Sequence, residues 1–395
     1  MSAAERYIRL GLHLGRLDDD LVDAYFGPPE LAASVDAEPL LEARTLVSTA
    51  DALLDELADG WLRDQVVAVR TYAGVLAGES TSYADEVEGC YGVRPAHTPE
   101  AVFTAAHELL EELLPGEEPL AERHARWERS VGVPAEQVES TVAAVVAEAR
   151  AWTRDLFDLP PGEGIELETV RDVPWLAFCH YLGAFRSRVS INMDLPPSAP
   201  ELLRLTMHET YPGHHAERCS KEARLVRDGG LLEETLVLVP TPQSLVSEGI
   251  ATLAPSMVLE SDRGNALAAI LRGRGIDFDL GHALSVERAG EPLSWAIVNA
   301  ALLLHEEGAS DAEAHAYLER WALLTPELAA HVIRFLNEPA SRSYAITYAA
   351  GRELCDAYVA AEAGGFRRLL TEQVRVGDLL KHRSRACPPG GRHAN

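Results

Sequence analysis

The segment His208-Glu209-Thr210-Tyr211-Pro212-Gly213-His214-His215 places three histidines and one glutamate in eight positions. Imidazoles bind divalent cations and a neighbouring carboxylate moves protons, so this combination points to metal-assisted hydrolysis. In the HExxH arrangement, two imidazoles one helical turn apart hold zinc, and the glutamate after the first activates water. Here the second histidine arrives two or three positions late, after an inserted Pro-Gly.

That insertion has a geometric task. In an unbroken helix His214 lies far around the cylinder from His208. His215 returns near the same face but about 10 Å along the axis, at roughly 1.5 Å per residue. Pro212 cannot donate an amide hydrogen to the His208 carbonyl, and Gly213 tolerates unusual dihedrals. A break at 211–213 would therefore bring either His214 or His215 back beside His208. We take His214, because a glycine precedes it as in HExGH sites, and keep His215 as the alternative. A catalytic zinc takes three protein ligands and leaves one position open. Glu248, in Ser247-Glu248-Gly249-Ile250-Ala251, is the third candidate, and Gly249 would let its helix approach another closely.

Other chemically suggestive residues read as structure. His107-Glu108 and His305-Glu306 have no histidine three or four residues later, and Cys219 has no partner pattern. Trp175, Phe178, Tyr181 and Phe185 recur at helical spacing and read as core, with the lining of a cleft as the alternative.

The elements that must position the cluster are mostly helices. An opening helix is expected to carry Tyr7, Leu10, Leu14, Leu21, Val22 and Tyr25 up to the Gly27-Pro28-Pro29 turn. Helical patterns follow over 41–59, 61–78, 99–114, 117–130 and 134–158. The Pro160-Pro161-Gly162 break divides an N-terminal helical region, 1–159, from a catalytic region, 160–386, within one compact unit. Residues 165–170 and 185–193 alternate β-branched side chains and predict a small antiparallel hairpin. Beyond Pro200 helices are expected over 200–211, in a continuation after Gly213, and over 243–261, 262–273, 277–288, 292–307, 311–322, 326–337, 339–363 and 366–380. Residues 387–395 read as a disordered tail. The predicted fold class is mostly α, multi-helical around a cleft, with one small antiparallel β element.

Composition narrows the partners. The 395 residues include 62 acidic and 35 basic side chains, for a net charge of −27. A general surface of that sign repels nucleic acid and anionic membranes, so neither is expected as a partner. It favours neutral or cationic substrates over free acids. The five cysteines are scattered and never form a CxxC pair. With no signal-peptide pattern and no long apolar run, the expectation is a reduced, cytoplasmic protein.

The octapeptide, Glu248-Gly249-Ile250-Ala251, Thr347-Tyr348-Ala349-Ala350-Gly351 and Tyr25-Phe26-Gly27-Pro28-Pro29-Glu30 together resemble the bacterial DUF885 family. That family's pattern reads HExxPGHH, EGWA and SYKIG. The likeness is spread over most of the chain, and the octapeptide is its most specific part. Ile250 stands where the family has tryptophan, and Ala349 where it has lysine. The resemblance implies a zinc-metallopeptidase-like fold, similar to helical carboxypeptidases and oligopeptidases of the HExxH type. It implies zinc held by His208, His214 and Glu248, with Glu209 as general base. His215 or Tyr348 would hydrogen-bond the developing oxyanion. Tyr344 and Arg342, with Arg352 nearby, would bind substrate, an arginine clamping a carboxylate. The expected function is a zinc-dependent hydrolase cleaving an amide bond of a peptide or small aminoacyl compound. The alternatives are a metal-dependent lyase or isomerase on the same site, and a non-catalytic helical binding protein with a relict site.

Overall fold

The computed structural model describes residues 1–383 apart from positions 174, 195, 196 and 340; Cys387 and the tail expected at 387–395 lie outside the described residues. The chain is mostly helical, with two small sheets. The opening helix starts at a Ser2–Glu5 capping box and runs only over Ala3–Gly15. The second half of the expected helix is instead strand β1, Val22–Tyr25. The reason lies in Asp18-Asp19-Asp20: the Asp18 carboxylate accepts the Asp20 amide at 3.1 Å, a local bond that competes with the helix.

The second sheet also departs from expectation. Its strands are β2 (Gly164–Val170), β3 (Ala177–Gly183) and β4 (Arg186–Asn192), in the spatial order β2-β4-β3. The two predicted strands do pair, but in parallel; the antiparallel partner of β4 is β3. Strand β3 contains aromatics read as a helical stripe. Along it Phe178, His180 and Leu182 are exposed while Cys179, Tyr181 and Gly183 are buried, a period of two. The three-residue step from Phe178 to Tyr181 reads as helical, but in the strand it puts the two rings on opposite faces. Strand β1 pairs antiparallel with β5 (Leu236–Leu238), with a bulge between Val22 and Ala24.

The remaining helices follow the sequence pattern closely, with two exceptions. The segment 366–380 splits into Gly365–Thr371 and Val376–Arg383, and the helix expected from 339 begins later, as Ala345–Ala361. Helices Pro29–Asp36 and Tyr83–Tyr91 were not anticipated. The largest apolar cluster joins Tyr7, Leu46 and Val69 to Ile250, Ile346 and Leu354. Elements on both sides of Pro160-Pro161 therefore share one core.

Four helices carry the candidate site: Ala199–Glu209, His214–Lys221, Pro242–Leu259 and Ala345–Ala361. The last two touch through glycines. A Cβ on Gly249 would lie 2.4 Å from the Gly351 carbonyl, and one on Gly351 would lie 2.5 Å from the Leu245 carbonyl. The expected close approach at Gly249 is present, and it brings Tyr344, at the start of the last helix, within reach of Glu248.

Candidate metal centre

Ser198 caps the first site helix, its hydroxyl accepting the Glu201 amide at 3.4 Å. The helix ends at Glu209, and the chain turns through Thr210, Tyr211 and Pro212, with the Tyr211–Pro212 peptide cis. Gly213 then presses against the helix it has just left. A Cβ there would lie 2.0 Å from the His208 carbonyl oxygen and 2.5 Å from that of Met207. Only glycine fits this approach, and it returns His214 to His208 with ring centroids 4.8 Å apart.

His208, His214 and Glu248 each offer a ligand atom, all within 4.8 Å of one another. His208 Nε2 is 3.5 Å from Glu248 Oε2, and His214 Nε2 is 3.2 Å from Glu248 Oε1. Glu248 Oε2 is buried and has no hydrogen-bond partner. A buried carboxylate oxygen left in that state calls for a cation.

The hydrogen bonds behind His214 show which nitrogen faces the cluster. The Ser247 hydroxyl donates its single hydrogen to Glu217 Oε2 at 2.5 Å. It must then accept from His214 Nδ1, 3.2 Å away, which leaves Nε2 as a lone pair aimed at the Glu248 carboxylate. Two acceptors facing each other need a positive charge between them, a proton or a metal ion. Burial alone would lower the His214 pKa, but Glu248, Glu217 and Glu209 raise it to about 10. Burial likewise opposes ionisation of Glu248, yet His214 and His208 hold it well below the usual carboxylate range. The donor set, two imidazoles and one carboxylate, fits a zinc site with an open position. His208 Nδ1 is the exception, having no hydrogen-bond partner.

Tyr344, expected to touch substrate, lines the more enclosed of two cavities at the cluster and has a second task. Its hydroxyl donates to Glu248 Oε1 at 2.8 Å, so it orients a candidate ligand. If the cluster holds a zinc ion, Tyr344→Phe is expected to weaken its binding by about 10–100-fold, the usual cost of losing such a partner. Competition with a chromogenic chelator checks it, and affinity equal to wild type would remove Tyr344 from this role.

His215 lies outside the His208–His214–Glu248 cluster and borders neither cavity beside it. It is fully buried and held by Ser187 Oγ at 2.7 Å and Glu163 Oε2 at 3.3 Å. The Pro-Gly turn sends consecutive histidines to opposite tasks: His214 into the cluster, His215 into the core. Glu163 collects Tyr211 and Arg150 as well. Burial pushes its pKa up, but His215, Tyr211 and Arg150 together bring it down to about 2 from 4.5. A depressed carboxylate contributes stability above its unfolded pKa and loses it as pH falls through the folded one. At about 1.4 kcal/mol per tenfold change in proton affinity, roughly 3 kcal/mol should disappear between pH 4.5 and 2. Denaturant titrations at several pH values would show this loss, and Glu163→Gln should flatten it.

The arginines also differ from expectation. Arg342 borders neither cavity; it grips the buried Glu86 with both arms, Nε to Oε1 at 2.9 Å and a second N–H to Oε2. A buried carboxylate must be paired, and this one takes the arginine away from the site. Arg352 does reach the cleft wall but is bound to Glu291 and to the Thr252 carbonyl at 2.7 Å. Arg204, four residues before His208 on the same helix, also lines the cleft.

Two cavities meet at the cluster. The more enclosed, about 230 Å³, is lined by Asp23, Cys179, Arg218, Ser244 and Ser247 together with the candidate ligands. The outer cleft, about 590 Å³, is largely apolar, with Leu205, Leu284, Ile297 and Val332 in its wall. Both include His208, Glu209, Tyr348, Trp175, Ala177 and Phe335. Glu209 is buried, with its Oε1 4.0 Å from His208 Nε2. Burial raises its pKa, opposed by His208 and His214. Tyr348 is 41% exposed and stands edge-on to Tyr344 at 5.6 Å. Of the sequence-derived residues, the structure thus joins His208, Glu209, His214, Glu248, Tyr344 and Tyr348, and leaves His215 and Arg342 outside. Ser247, Glu217 and Arg218 were missed, although Glu217 and Arg218 sit one turn from His214. Asp23 and Glu163 are far from the motif in sequence and carried no signal.

No family model matches this sequence, and no curated protein matches it. Among solved structures, a protein of Colwellia psychrerythraea, provisionally designated a lipoprotein, aligns over 90% of this chain with 15% identity and a TM-score of 0.53. A provisionally designated lipoprotein of unknown function from Shewanella oneidensis aligns over 90% with 11% identity and a TM-score of 0.51. The chain spans 65% of the first protein and 75% of the second, so less than two thirds of the Colwellia chain is represented. Among the described residues no helix is long and apolar enough to cross a membrane. At these identities the likeness is one of fold: this chain shares its mostly helical architecture with two larger bacterial proteins.

Proposed function

We propose that this protein is a zinc-dependent hydrolase of amide bonds, acting on a short peptide or aminoacyl compound, as its likeness to the DUF885 pattern also implies. The observation that carries the reading is the His208–His214–Glu248 cluster, two of its members buried, with an unsatisfied Glu248 oxygen inside it. These three residues would hold the ion, which supplies Lewis acidity and makes a water nucleophilic at neutral pH. Glu209 borders both cavities and takes the proton of the attacking water on its carboxylate. It then returns that proton to the leaving nitrogen as the C–N bond breaks, so that water is added across the amide. The neutral Tyr348 hydroxyl, which lines both cavities, donates to the oxygen that becomes negative. His214 is held in register by Ser247 and Glu217, and Glu248 by Tyr344. Among the described residues four cysteines are free and buried, which suits a reducing compartment, and we place the protein in the cytoplasm on that ground.

Metal analysis of protein purified without chelator tests the reading. About one equivalent of zinc is expected, with chelation abolishing hydrolysis of a panel of aminoacyl anilides and zinc restoring it. Less than about a tenth of an equivalent, with none taken up on titration, would overturn it. Alanine at His214 should empty the site, whereas alanine at His215 should lower stability first.

A further inference from the structure

Strand β1 is regular except at one residue. Val22 pairs with Leu238 and Ala24 with Val237, so two steps on β1 face one on β5, and Asp23 is the extra residue of a bulge. A bulge re-aims the side chain it carries. Here that side chain lines the enclosed cavity, and its carboxylate has no hydrogen bond or ion pair among the described residues. Asp23 also lies outside the ligand cluster, so it is not a fourth metal ligand. Its electrostatic neighbours are Arg218, His214, His180 and Glu248. Arg218 lines the same cavity, is 7% exposed, and gives one N–H to Ser247 Oγ at 3.2 Å; it does not pair with Asp23. A carboxylate so placed invites a cation from the ligand side.

Size and charge say which cation. The cavity of about 230 Å³ is below the range of drug-sized pockets, and suits a group no larger than one amino-acid residue. With Glu248 committed to the metal cluster and Glu209 to proton transfer, Asp23 is the carboxylate this cavity has left for a ligand. The larger apolar cleft shares Glu209 and Tyr348 with it, leaving room there for the departing part of a substrate.

We propose that Asp23 anchors a free α-ammonium group, making the enclosed cavity the subsite for the N-terminal residue of a short peptide or aminoacyl amide. The scissile carbonyl of that residue then sits beside Glu209, and the leaving amine occupies the outer cleft. The protein acts on free amino termini and stops at one residue. This deepens the hydrolase reading and rests on it for the bond that is cut.

The test separates recognition from hydrolysis. Zinc-loaded full-length protein is assayed with leucine p-nitroanilide and its N-acetyl counterpart, and metal-free protein is titrated calorimetrically with leucinamide and N-acetylleucinamide. The free amine should be favoured at least about tenfold in kcat/KM and in affinity, the usual weight of a charge-assisted hydrogen bond. Asp23→Asn, checked by its thermal melt, should collapse both ratios toward one. Equal treatment of free and acetylated compounds by wild type, or ratios that survive Asp23→Asn, would overturn the assignment while leaving the hydrolase reading intact if both anilides are cut. Selective amine binding lost in Asp23→Asn, without hydrolysis of either anilide, would uphold the subsite and overturn the hydrolase reading instead.

Discussion

Glu209→Gln is expected to lower kcat by about 10²–10⁴-fold while zinc stays near one equivalent. The substitution keeps the shape of the side chain and removes its ability to accept and return a proton. His208, His214 and Glu248 are untouched, and Glu209 Oε1 lies 4.0 Å from His208 Nε2. Glu209 is also buried, where a carboxylate costs more than an amide, so the variant should be no less stable than wild type. Steady-state kinetics beside metal analysis and a thermal melt give the three readouts. Loss of zinc along with activity would make Glu209 a ligand. Retained activity would move the base elsewhere.

Gly213→Ala is expected to weaken zinc binding by at least about 100-fold, although no ligand is changed. The added Cβ would stand 2.0 Å from the His208 carbonyl oxygen and 2.5 Å from that of Met207, both backbone atoms of the helix that carries His208. Neither can yield without moving that helix or the turn. Ligand distances in a metal site are held to a few tenths of an ångström, and a 1 Å displacement in an active site costs about 10²-fold. Gly377→Ala is the control, since a Cβ there meets nothing within 4 Å. Chelator competition on both variants decides the matter: unchanged affinity in Gly213→Ala would mean that the turn does not set the His208–His214 spacing.

Much of the candidate site is legible along the chain because its residues are close in sequence and unusual for a helix. His208, Glu209 and His214 fall in one octapeptide, and Pro212-Gly213 announces the break that joins them. Glu248 follows from the ligand count, and Gly249 from the need for close packing. The helices are legible through their apolar periodicity, from Ala43–Leu54 to Pro326–Asn337. The sheet was less so. Short strands have few residues to show a period, and in β3 the three-residue step from Phe178 to Tyr181 imitates a helical stripe although the two rings face opposite sides.

What the linear pattern determines, then, is the chemistry on offer: a mostly helical chain with a break that can bring two imidazoles and two carboxylates together. What only the tertiary structure decides is which way each of those groups faces. His214 and His215 are adjacent and identical, yet one meets Glu248 and the other meets Glu163, because the helix that begins at His214 turns successive side chains about 100° apart. Arg342 is spent on Glu86, a residue more than 250 positions away, since a buried carboxylate takes whichever cation the fold delivers. Asp23 reaches the cavity through a strand bulge that depends on pairing with β5, about 215 residues later. Local spacing sets which side chains share a turn, while long-range pairing and burial set where each side chain points.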